Sequence, residues 1–140
     1  LEHVEDSEMV LAELNRVLVP GGALVVSIPF LYPLHDEPRD FVRHTRHGLA
    51  ALAQKTNFEI QSIASKGKPV ASSALLFTIA IAKMSVNLIE KKSLGVVLVP
   101  LLLALVPAIN LLAWLLSLLE PEDAFMPYVY HLKLVKPDQG

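Results

Sequence analysis

Two short stretches carry most of the side chains able to do chemistry. Glu2 and His3 open the chain, and residues 32–47 hold His35, Asp36, Asp40, Arg43, His44 and His47 among the breaks made by Pro33 and Pro38. Imidazoles and carboxylates gathered in this way are the side chains of proton transfer and of metal ligation. His44 and His47 form a His-x-x-His pair with Asp36 or Asp40 nearby, but no third ligand stands at helical spacing, so a solvated face is expected and no metal site. Asp40 and Arg43 read in two ways, as groups that meet a ligand or as an ion pair that fixes its own loop. No Ser/His/Asp order stands out. His131 lies in an alternating run and is expected to have no special role.

Composition narrows the classes. Of 140 residues 53% are apolar and 19% charged, with a net charge of -2, which excludes both a disordered chain and a nucleic-acid binder held by phosphate neutralisation. Cysteine is absent, which removes thiol nucleophiles, disulfides, iron–sulfur clusters and cysteine-bound zinc. The chain opens at Leu1 without an initiator Met or a signal-peptide pattern, and it is expected to be the C-terminal part of a longer protein.

Hydrophobic periodicity then predicts the elements that position these groups. Val10, Leu11, Leu14, Val17 and Leu18 recur at helical spacing behind the acidic group Glu5, Asp6 and Glu8, which predicts a helix over 7–18. Pro20-Gly21-Gly22 stops it. Ala23 to Ile28 is apolar and rich in β-branched residues, the pattern of a strand buried on both faces in a parallel sheet. Thr45 is the expected N-cap of a short helix through Leu49 and Leu52 that ends near Asn57, and Phe58 to Ala64 reads as a second strand. Tyr128 to Val135 alternates and predicts a third, with Tyr128, Tyr130, Leu132 and Leu134 on one side.

Between the last two strands the chain turns greasy. Residues 69–119 contain only Lys83, Glu90, Lys91 and Lys92 as charges, and 93–119 contain none, longer than the roughly 20 residues that cross a bilayer as a helix. Two apolar helices joined at Glu90-Lys91-Lys92 form a hairpin. A full span would carry Lys91 and Lys92 across the bilayer, against the positive-inside tendency if the sheet is cytoplasmic. Pro100 and Pro107 interrupt the second helix, so a kinked, shallow or re-entrant hairpin competes with a full span. A buried helical cover and a homodimer interface are the other readings. The organisation expected is therefore 1–68, 69–119 and 120–140, with the hairpin holding the protein to the cytoplasmic face of a membrane.

Leu1-Glu2-His3-Val4, then Glu13-Leu14-x-Arg16-Val17-Leu18-x-Pro20-Gly21-Gly22, then the strand from Ala23 resemble, in order and spacing, the class I S-adenosylmethionine-dependent methyltransferases. The likeness continues through Pro29-Phe30, His35-x-x-Pro38-x-Asp40-Phe41-x-Arg43-x-Thr45 and Asn57-Phe58, where that family usually has Gly-Phe, to the last strand and Pro137. It covers 1–68 and 125–137. The resemblance implies an α/β fold, the C-terminal part of a doubly wound Rossmann-like sheet. Its strands would be the fifth, sixth and seventh, with the seventh antiparallel between the other two and the apolar hairpin inserted before it. It also implies that the glycine-rich loop and the acidic residue that hold most of the cofactor would precede Leu1, leaving these residues alone inactive and one edge of the fifth strand unpaired.

In such a reaction the methyl group passes in line from S-adenosyl-L-methionine to an acceptor, and an oxygen or nitrogen acceptor needs a base. His3, beyond a strand end, is placed for that role, and His35 shares it; the plainer reading of Glu2 and His3 is that they begin a solvated loop. Leu1 and Glu2 would touch the cofactor, and Asp36, Asp40 and Arg43 the substrate. The acceptor is expected to be a small molecule or a lipid-linked group reached at the membrane surface. A non-catalytic, membrane-anchored interaction module built on the same sheet is the alternative.

Overall fold

A computed structural model describes residues 1–121 and 123–138. The elements in chain order are α1 (Ser7–Val17), β1 (Ala23–Pro29), α2 (Arg46–Lys55), β2 (Glu59–Lys66), α3 (Pro69–Glu90), a 3-10 turn (Leu94–Leu98), α4 (Val99–Ser117) and β3 (Val129–Val135). They divide into two compact units, one of residues 1–66 and 127–140, the other of residues 67–126.

The first unit is mixed α/β, built on a three-stranded antiparallel sheet. Its order is β1-β3-β2, so the last strand of the chain lies in the middle. Pairing runs from Ala23 with Val135 to Pro29 with Val129 on one side, and from Glu59 with Val135 to Lys66 with Val129 on the other. Pro29, Val129 and Lys66 therefore share one end of the sheet. A bulge between Ile60 and Ser62 leaves Gln61 as the extra residue, which keeps the alternation of β2 in step with β3.

Alternation in β3 builds the core. Tyr130, Leu132 and Leu134 are buried and pack with Ile28 of β1, Leu11 of α1, Leu49 and Ala53 of α2, and Phe58. The helices take the boundaries their caps dictate. Asp6 accepts the Met9 N–H at 2.8 Å to start α1, and Thr45 accepts the Gly48 N–H at 3.0 Å to start α2. At the end of α2, Asn57 adopts φ 57°, its N–H bonds the Gln54 carbonyl and the Phe58 N–H reaches back to Ala53 at 2.9 Å, a left-handed termination with two carbonyls satisfied. Phe58 is thereby committed to the helix exit, and β2 starts one residue later than the apolar run suggests.

β1 departs from expectation. Only one face is covered, where the apolar run suggested two: Leu24, Val26 and Ile28 turn inward while Val25 is 72% exposed, and the antiparallel pairing with β3 is the one the resemblance implies. An apolar, β-branched run records a tendency to be covered, not which segment supplies the cover. The β1 edge away from β3 carries no partner among the described residues.

The Pro20-Gly21-Gly22 turn depends on both glycines. Gly21 sits at φ 73°, and a Cβ on Gly22 would stand 2.7 Å from the Val19 carbonyl oxygen. Gly21 N–H and Gly22 C=O both bond the backbone of Lys136, whose Nζ donates to the carbonyls of Asn15 and Leu18 at the end of α1, each at 2.8 Å. The turn thus ties α1, β1 and β3 together. Gly21→Ala is expected to cost about 1–2 kcal/mol, the penalty of a left-handed L-residue, read as a lower midpoint in urea with an unchanged slope.

The second unit is a helical hairpin with its polarity inverted. α3, 22 residues and about 33 Å long, buries Ser72, Thr78, Ile81 and Ser85, whereas Phe77, Met84, Val86 and Ile89 face outward. α4 buries only Val99 and Ala113 of its 19 residues and leaves Leu101, Leu111, Leu112 and Trp114 exposed. Small side chains let the helices approach, and the Thr78 and Ser85 hydroxyls donate to carbonyls of their own helix, Leu75 and Ile81. Pro100 lies in the first turn of α4, where no N–H is needed, so of the two prolines expected to interrupt this helix only Pro107 is interior, and the helix continues past it. At the base, Lys68 Nζ donates to the carbonyls of Ser117 and Glu120 while the Glu120 carboxylate accepts the Val70 N–H, so each helix terminus meets an opposite charge.

Candidate functional site

Residues 1–4 lie against the loop that follows β1, with the Phe41 N–H bonded to the Glu2 carbonyl at 2.8 Å. This contact brings His3 to His35, 32 positions away in sequence. Their Nε2 atoms stand 3.1 Å apart and the rings meet edge to face. Each ring is oriented from its far side: His3 Nδ1 donates to the Arg39 carbonyl at 2.9 Å, and His35 Nδ1 lies 3.2 Å from the Pro33 carbonyl and 3.3 Å from Asp40 Oδ2. Tyr32 packs edge-on against His35. Glu2 Oε1 sits 3.6 Å from His3 Nε2.

Asp40 and Arg43 take each other. Arg43 bonds both carboxylate oxygens, Nη2 to Oδ2 at 2.6 Å, and Asp40 Oδ2 also accepts the His35 N–H at 2.9 Å. The Asp40 side chain is 1% exposed. Hydrogen bonding from Arg43 holds the Asp40 carboxyl far below the usual carboxylate range, so this clamp stays charged across the physiological range. Arg43 further donates to the carbonyls of Tyr32, Pro33 and Val42, which spends its donors on the loop. The geometry is that of the ion pair weighed from sequence, with its product the placement of His35. Asp36 stands apart, exposed at φ 54°, with its carbonyl accepting the Arg39 N–H.

The other histidines separate. His44 Nε2 donates to the Ser7 hydroxyl at 3.2 Å, and burial pulls its imidazole below the ordinary value. His47 is exposed on α2. His131 bonds Ser27 across the strands at 2.6 Å. The His3–His35 pair was not readable from spacing, since only the loop fold brings the two together. An open depression of about 460 Å³ adjoins His3, lined also by Val4, Met9, Val10, Arg39 and Phe41.

No family model matches the chain, and no curated protein does. Among solved structures, the [4+2]-cyclase SpnF is similar at 16% identity and a TM-score of 0.49, over 94% of this chain and 44% of that one. Haemonchus contortus phospholethanolamine N-methyltransferase 2, in complex with phosphomonomethylethanolamine and S-adenosylhomocysteine, is similar at 13% identity and a TM-score of 0.46, over 99% and 31%. The chain spans less than half the length of either.

Proposed function

We propose that this chain forms the acceptor side of an S-adenosylmethionine-dependent methyltransferase, working on a lipid-linked or apolar acceptor at a membrane surface. The observation that carries this reading is the sheet order β1-β3-β2, with the final strand antiparallel in the centre. It is the arrangement implied by the motif resemblance of residues 1–68 and 125–137.

S-adenosylmethionine supplies an electrophilic methyl group on a sulfonium leaving group. His3 Nε2, with its Nδ1 proton committed to Arg39, takes the acceptor's proton, and His35 beside it shares the charge that develops. Asp40 and Arg43 act at one remove by holding the His35 loop, and Asp36 is the exposed acid left for a polar acceptor group. Leu1, half-buried against the core, completes the donor side of this edge.

A membrane acceptor is supported by the inverted hairpin, whose large apolar side chains face outward. Lengths of 22 residues for Pro69–Glu90 and 24 for Leu94–Ser117 suffice to cross a bilayer.

The experiment is transfer of tritiated methyl from S-adenosylmethionine by the full-length protein in the presence of a total lipid extract. Label in the organic phase is expected. Label only in water-soluble products would remove the lipid acceptor, and no label would favour the non-catalytic module.

A further inference from the structure

We infer that Glu2, His3 and His35 form a binding site for one divalent cation of the zinc class. The inference does not rest on the methyl-transfer reading. It starts from an electrostatic conflict. His3 Nδ1 faces a carbonyl oxygen at 2.9 Å and must carry the proton, which leaves Nε2 with a lone pair. His35 Nδ1 faces two oxygens, Pro33 O at 3.2 Å and Asp40 Oδ2 at 3.3 Å, against one donor, Arg43 Nη2 at 3.4 Å, whose charge Asp40 neutralises. In the tautomer that donates from Nδ1 to the Pro33 carbonyl, His35 Nε2 also presents a lone pair, and two such atoms 3.1 Å apart are bridged by a shared proton or by a metal ion.

The geometry suits a metal ion. Two imidazole nitrogens on a tetrahedral zinc at 2.0–2.1 Å stand about 3.4 Å apart, a few tenths of an ångström more than the separation here. A carboxylate stands beside them, and the ligand atoms of Glu2, His3 and His35 all lie within 4.8 Å of one another. Two histidines and one carboxylate leave a fourth position open, and all three residues are only partly buried, so an ion can enter from solvent. The far side of each ring already has its outer partner, Arg39 carbonyl for His3 and Asp40 with Pro33 carbonyl for His35, the arrangement that fixes a metal-binding tautomer. The cation takes the lone pair that the methyl-transfer reading gives to the acceptor's proton, so a metal-loaded pair is not the base of that reading.

The test is titration of metal-free full-length protein with Zn²⁺ by calorimetry, paired with Co²⁺ as a visible-absorption probe. One equivalent is expected to bind at the site, with the intense d–d absorption of a four- or five-coordinate Co²⁺. His3→Ala and His35→Ala are each expected to lower affinity at least about 100-fold, and Asp40→Asn roughly 10–100-fold, as loss of an outer partner does. Glu2→Gln, which keeps shape and hydrogen bonding, guards against a folding defect and is expected to shift the Co²⁺ spectrum. His47→Ala is expected to change nothing. Equal Zn²⁺ affinity in the wild type and a folded His3→Ala/His35→Ala double variant would overturn the site, as would loss of binding in His47→Ala.

Discussion

Replacing His3 by alanine is expected to lower methyl-transfer turnover of the full-length protein by roughly 10²–10⁴-fold, the range for loss of a positioned proton acceptor. Affinity for S-adenosylmethionine is expected to stay within about threefold, because the base acts on the acceptor and contributes to the transition state rather than to donor binding. The geometry makes the effect specific. His3 Nδ1 is held by a backbone carbonyl, so the ring can release its Nε2 side to a substrate without turning, and His35 at 3.1 Å is the neighbour that shares the charge gained. His35→Ala should therefore also lower turnover, and by less than His3→Ala. Turnover and pH profile both unchanged in His3→Ala would remove the pair from the chemistry.

The second large effect concerns the hairpin. Leu105 lies near the middle of Leu94–Ser117 and is 43% exposed. A lysine at the centre of an inserted helix costs about 2.5–3.5 kcal/mol on the insertion scale, and losing the leucine adds a few tenths, which together shift partitioning by more than a hundredfold. Leu105→Lys is thus expected to move the protein from the membrane pellet toward the supernatant, while deletion of residues 69–119 with a short Gly/Ser linker releases it fully. The reason lies in the direction of the side chains. Ser72, Thr78 and Ser85 are buried, whereas Leu101, Leu111, Leu112 and Leu118 are between 58% and 62% exposed, the reverse of a helix pair folded for water. A wild-type protein found in the supernatant without detergent, as a dimer that Leu105→Lys dissociates, would replace the membrane by a second copy.

Much of the first unit was legible because its signals are local. The cap at Thr45, the left-handed Asn57 and the alternation of Tyr130, Leu132 and Leu134 are each decided within a few residues. Pairing of β2 with β3, across the apolar helices between them, was read from the two strand patterns and is also what the motif order implies. What was not legible is what distance in sequence conceals. The one-sided cover of β1 depends on which neighbours exist, so its apolar run over-reads burial. Phe58 looks like the start of a strand because its burial in the helix exit and burial in a sheet leave the same apolar mark. The inward hydroxyls of α3 were hidden by its composition, since an apolar helix discloses its face only once a partner is placed beside it. For the site, Asp40 and Arg43 announced themselves by their three-residue spacing, but the meeting of His3 with His35 needed the Glu2–Phe41 backbone contact that no motif encodes.

The most direct test of the methyl-transfer reading is calorimetric titration of the detergent-solubilised full-length protein with S-adenosylmethionine. A single saturable site that S-adenosylhomocysteine displaces is the result expected. Absence of heat with a folded, monodisperse sample, at concentrations where micromolar binding would register, would contradict it.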